Sequence, residues 1–118
     1  MNLEEFLGRV RQGDQVSFAE TQSVIKRYYE CIPASFSNGR DNDQIKNEAE
    51  QNEGSCRIFY FASLHQLDQA QTLGLFGNYY RRDVLNNPDG VNHLNIRNFM
   101  KYGWAGIHFS ASVLKTVE

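Results

Sequence analysis

The apolar positions of this chain recur mostly at helical spacing. Leu3, Phe6, Leu7 and Val10 share one face behind Asn2, and Asn2 with Glu5 forms a capping box. Gly13 closes that first helix. Ser17 and Glu20 make a second box, after which Val24, Ile25, Tyr28 and Tyr29 continue an apolar face. Pro33 stops the helix near Cys31, because a residue before proline avoids the α region. Asp68 and Gln71 form a third box ahead of a helix carrying Ala70, Leu73, Phe76, Tyr80 and Val84. Asn92 is placed to cap a helix with Ile96, Phe99 and Met100, ended by Gly103. Ser55 is placed to cap a helix from Cys56 to about His65. Its aromatic run Arg57–Ala62 also suits a buried strand, and helix is the preferred reading.

Between these helices the pattern loosens. Ile32 to Gly39 reads as an extended segment or short edge strand closed by an Asn-Gly turn. Residues 40–54 are polar and read as a long loop, a place where function and mobility concentrate. Trp104 to Phe109 looks extended, with Ile107 and Phe109 facing inward, and can pair with the Ala34–Phe36 region. The resulting fold class is mainly α: a compact multi-helix single domain over residues 1–118, with at most a short two-stranded β element.

Composition narrows the function more than the fold. At 118 residues, 41% of them apolar, the chain fits one domain that needs no disulfide or metal to hold it. Its two cysteines lie in no CxxC and read as reduced thiols. A net charge of -2 argues against a nucleic-acid binder. No apolar run reaches membrane-span length, and the start Met-Asn-Leu-Glu-Glu-Phe is no secretory signal. The cytoplasm is therefore the expected location, with no membrane and no nucleic acid as partners.

Candidate chemistry gathers in two segments. Cys56 stands where a helix start would lower a thiol's pKa, and His65 or His93 could serve as its base; an inert buried thiol is the commoner case. The oxygen and imidazole groups of Asp83, Asn87, Asp89, Asn92, His93 and Asn95 could surround a cation, yet these are also what turns and caps require. No metal or other cofactor is expected. Arg81, Arg82 and Arg97 could bind a phosphate or carboxylate, or simply pair with Asp83 or Glu53. The expected ligand-binding set is Asn52, Glu53, Ser55, Asn92, His93 and Arg97. It rests on two helix starts packing side by side and presenting free N–H groups to a small anion.

Three stretches carry a family resemblance: Asn52-Glu53-Gly54-Ser55-Cys56-Arg57-Ile58-Phe59, then Leu75-Phe76-Gly77-Asn78-Tyr79-Tyr80-Arg81-Arg82-Asp83-Val84-Leu85, then Pro88-Asp89-Gly90 through His93 and Asn95-Ile96-Arg97-Asn98-Phe99-Met100 to Gly103-Trp104. Together they resemble the HopJ type III effector family over nearly the whole chain. The resemblance implies a bacterial protein delivered into host cells by a type III secretion system, with a host protein target or a secretion chaperone as partner. It implies no enzymatic activity, cofactor or catalytic residue. The leading expectation is thus a non-enzymatic binding module. The alternative is a cytosolic protein with a small polar or anionic-ligand site, or a Cys-dependent hydrolytic site, near Asn52–Cys56 and Asn92–Arg97. A third reading is a domain acting only through protein contacts.

Overall fold

The structure, a computed structural model, describes residues 2–117. In chain order the elements are α1 (Leu3–Gln12), α2 (Phe18–Tyr28), β1 (Tyr29–Cys31), β2 (Phe36–Asn38), β3 (Ile45–Asn47), α3 (Glu53–Leu64), α4 (Gln69–Gly74), a π-helical segment (Tyr79–Val84), α5 (Leu94–Tyr102), β4 (His108–Phe109) and β5 (Leu114–Thr116). Short 3-10 turns precede β3 and follow α5.

Each capping box in the sequence starts a helix. Asn2 Oδ1 accepts from the Glu5 N–H at 2.8 Å, Ser17 Oγ from the Glu20 N–H at 3.0 Å, and Asp68 Oδ1 from the Gln71 N–H at 2.7 Å. In each the third-position side chain reaches back to the cap, so two otherwise orphaned donors are satisfied at once. The ambiguous aromatic run is helical: α3 buries Cys56, Ile58, Phe59, Phe61 and Ala62, which explains why its apolar pattern shows no clean period. Phe59 is the hub of the core. Its ring lies 6.0 Å from Phe36 on β2, 5.3 Å from Phe76 after α4 and 5.0 Å from Phe99 on α5. One side chain thus joins sheet and helices through tilted aromatic contacts.

The strands overturn the mainly-α expectation. The fold is mixed α/β, with two small antiparallel sheets, one of two strands (β1-β5) and one of three (β3-β2-β4). The expected pairing of the Trp104–Phe109 stretch with the Ala34–Phe36 region occurs only at its far end, as Phe36↔Phe109 and Ser37↔His108, because Gly103–Gly106 winds as a 3-10 turn instead of extending. What the sequence hid is the rest. β1 follows α2 without a break, so Tyr29 reads as one more helical apolar position. β3 lies in the polar tract expected to be loop, and its inward residue is Asn47, which hydropathy cannot distinguish from a loop residue. β5 shows one buried residue, Leu114, ahead of two exposed ones.

The helix expected to carry Ala70 through Val84 is also broken. Gly77 takes φ +62°, and a Cβ there would come within 2.7 Å of the Phe18 backbone nitrogen. Only glycine allows both that dihedral and the approach of the head of α2. Beyond it the chain winds as a π-helix, with Leu85 N–H bonded to Tyr80 C=O at 3.0 Å.

Candidate functional site

Two helices begin in the same unusual way. Asn52 before α3 has φ 52° and His93 before α5 has φ 51°, both left-handed, and neither start carries a side-chain cap. The sequence reading of Ser55 and Asn92 as caps is therefore corrected. Ser55 lies inside the first turn of α3, and Asn92 Oδ1 accepts from Arg97 Nη2. Without a capping side chain, each start keeps first-turn N–H groups for other acceptors.

Both starts open on one cleft of about 420 Å³. Asn52, Ser55 and His93, drawn from segments forty residues apart in sequence, line it together with Asn95. Its aromatic wall is Phe18, Phe76 and Tyr79, with Ile45, Val91, Leu94 and Ile96 completing the apolar lining. Phe18 meets Tyr79 edge-on at 5.0 Å, and Tyr79 lies 5.2 Å from the His93 ring. The imidazole is held from behind by Asp83, whose Oδ2 is 3.1 Å from Nε2. Among the described residues no carboxylate, lysine or arginine lines the cleft.

Beneath it lies a buried carboxamide network. Asn95 Nδ2 donates to Asn47 Oδ1 at 3.0 Å, and Asn47 Nδ2 donates back to Asn95 Oδ1 at 3.1 Å. Asn38 Nδ2 adds bonds to Asn95 O and Oδ1 at 2.8 and 3.0 Å. Asn52 Nδ2 donates to Asn47 Oδ1 at 2.7 Å. The network thereby fixes β2, β3 and both helix starts relative to one another, and a buried polar cluster of this kind is rigid when satisfied. Asn38 Oδ1 is a buried acceptor with no partner among the described residues.

The other expected site residues are elsewhere. Arg97 is folded onto the 87–92 turn: Nε donates to Asn92 O at 2.6 Å, Nη1 to Asn87 O at 2.8 Å and Nη2 to Asn92 Oδ1 at 2.8 Å. A Cβ at Gly90 would lie 2.5 Å from Arg97 Nη2, so a larger residue there would displace the guanidinium. Glu53 pairs with Arg57 at 2.7 Å, not with Arg97. Arg81 donates to the carbonyls of Val16 and Gly74. Of the oxygen-rich cluster, Asn87 bonds back to Asp83 O and Asn95 belongs to the buried network; among the described residues no three His, Cys, Asp or Glu side chains converge as a metal site would.

Cys56 does not become the activated thiol that a helix start suggests. It is buried with its Sγ toward Ala34 O, and burial pushes its pKa up to about 11. The candidate Cys–His pair does not form: His65 is bonded to the Tyr29 hydroxyl at 2.7 Å and His93 to Asp83. What sequence reasoning missed are the cleft walls, Phe18 and Phe76, and Asn47, which bonds the lining residues Asn52 and Asn95. A usable signal was present in Val91 and Leu94, two apolar residues flanking Asn92-His93 in an otherwise polar stretch.

With the geometry established, comparison supplies the class. The chain belongs to the HopJ type III effector family: the family described as HopJ type III effector protein matches residues 3–114. A solved structure described as the crystal structure of the unknown-function protein VPA0580 is similar at 42% identity with a TM-score of 0.93, covering 99% of this chain and 95% of its own. No curated protein matches the chain. Among the described residues no helix is long and apolar enough to cross a membrane.

Proposed function

We propose that this HopJ-family chain is a non-enzymatic binding module whose cleft holds a small ligand with an apolar body and an anionic or acceptor end. The observation that carries this is the convergence of two uncapped helix starts on one aromatic-walled cleft. Helix starts favour negative charge through their free N–H groups and aligned dipoles. Phe18, Phe76 and Tyr79 offer ring surface for the apolar body. A volume of about 420 Å³ suits a small organic molecule. The inaccessible Cys56 thiol and the absence of a base beside it speak against the Cys-dependent hydrolytic alternative. Family membership supports delivery into host cells and a host protein target or secretion chaperone as part of the same proposal.

The test is a titration of the isotopically labelled protein with phenylacetate, acetate and inorganic phosphate, followed by amide NMR. The expected result is joint movement of the Gly54, Ser55, Leu94 and Asn95 signals, strongest with phenylacetate and weakened by Tyr79→Ala. Shifts absent from these amides, or confined to one helix start, would remove the shared site.

A further inference from the structure

The exposed large apolar side chains of this protein are not scattered. Five of the eight found among the described residues, Tyr79, Leu85, Val91, Leu94 and Met100, fall between positions 79 and 100. Single exposed apolar residues need no explanation, whereas a concentration of them marks an interaction surface. Tyr79, Val91 and Leu94 belong to the cleft already described. Leu85 and Met100 do not. They line a separate groove of about 280 Å³ with Val84, Pro88, Arg97 and Lys101.

This second groove has its own electrostatic character. Every acceptor bonded to Arg97 is neutral: the carbonyls of Asn87, Pro88 and Asn92 and the Asn92 carboxamide. Among the described residues Arg97 therefore makes no ion pair. Lys101 is paired with Asp43 at 2.6 Å, in an exposed contact that is worth little. Arg82, one turn before Leu85, is exposed and makes no ion pair among the described residues. Over residues 79–102 the cations Arg81, Arg82, Arg97 and Lys101 outnumber Asp83 and Asp89, giving +2 in a chain whose net charge is -2. The rest of the chain thus sums to -4, and this segment is its positive pole.

We infer that the Leu85–Met100 groove docks an acidic segment of a partner protein through one or two large apolar side chains. A groove of about 280 Å³ has room for one or two large apolar side chains. Arg82 complements carboxylates flanking those anchors, and the positive charge of Arg97, whose N–H groups stay with the 87–92 turn, adds to the field that steers the encounter. A protein segment is favoured over an anionic bilayer for two reasons. The apolar groups line a concave groove, and Asp83 and Asp89 stand on the same stretch of chain, where a continuous negative surface would meet them. The inference is independent of the cleft reading, since the two cavities share no lining residue.

The experiment uses the labelled full chain and a synthetic helix-forming peptide of about 18 residues, long enough to fold on contact, with Leu at helical spacing among Glu. A matched peptide with Lys in place of Glu, and phosphatidylserine-containing vesicles, complete the set. The expected result is movement of the Leu85, Met100 and Lys101 amides with the acidic peptide only. Binding should weaken with salt. It should also fall about tenfold or more in the Leu85→Ser/Met100→Ser double variant, as truncated interface anchors do. Arg82→Glu, an exposed change that leaves the fold alone, should weaken it too. Equal binding of the basic peptide, preference for vesicles, no shift at all, or shifts starting at Ser55 and Tyr79 would each overturn the inference. The last outcome would assign the peptide to the cleft instead.

Discussion

Asn47 and Asn95 exchange two side-chain hydrogen bonds in the protein interior, at 3.0 and 3.1 Å, joining β3 to the first turn of α5. Removing the Asn47 side chain leaves the Asn95 Nδ2 donor buried without its partner and takes the acceptor from Asn52 Nδ2, whereas Asn38 keeps its bond to the Asn95 carbonyl. Asn47→Ala should therefore cost about 2–4 kcal/mol in chemical denaturation, beyond the value of a single bond. A loss below about 0.5 kcal/mol, the size of an ordinary surface change, would show that the network does not hold the sheet to the helix.

The two thiols should differ sharply in reactivity. Cys31 is half-buried, whereas Cys56 is buried with a pKa near 11. Under native conditions at neutral pH a thiol reagent should modify Cys31 first and reach Cys56 only when the protein unfolds. Mass spectrometry of the modified peptides reads this directly. Equal rates at both positions would contradict the packing around Cys56.

Gly77→Ala should destabilise by about 2 kcal/mol or more, since it adds left-handed strain to a clash. The clash is with backbone, at 2.7 Å from Phe18 N and 3.1 Å from Ser17 Cα, so no side chain can swing aside to relieve it. Gly74→Ala is the matched control. Nothing lies within 4 Å of its Cβ position and it is helical, so the change should be neutral or stabilising by up to about 1 kcal/mol. Comparable melting temperatures for the two variants would sink this reading.

Acid should act in two stages. Burial, reinforced by Arg11 and partly opposed by Glu4, holds His65 below its ordinary value of 6.5. The unfolded chain then binds that proton first, so stability is complete above about pH 6.5 and declines as pH falls toward the folded-state value. A second decline follows in the carboxylate range. There Asp43 is lowered chiefly by its bond from Lys101, and Glu20 chiefly by the Ser17 N–H. These two contribute above their unfolded values and are lost as pH falls through the folded ones. Denaturation midpoints measured across pH should show the first stage disappear in His65→Gln while the second remains.

The helices were legible because their signals are local. A capping box spans four residues, and three such boxes stand in the sequence where α1, α2 and α4 begin. The strands were not, because each is two or three residues long and takes its pairing from distant chain. Asn47 is buried through partners on β2, α3 and α5, and nothing near it in sequence announces them. The site was legible by halves. Free helix starts pointed to Asn52, Ser55 and His93, which do share the cleft. Arg97 looked available as a charged donor because only the folded turn reveals the carbonyls that occupy it. The left-handed conformations of Asn52 and His93 have no sequence mark beyond the residue types that tolerate them.

The register of the smaller sheet sets an order on the birth of the molecule. Tyr29 faces Thr116 and Cys31 faces Leu114, so β1 has no strand partner among the described residues until residue 116 has left the ribosome. Until then the backbone groups on the β1 edge are left to water. The β1-β5 pairing thus closes only after all the other described elements of the fold have been synthesised.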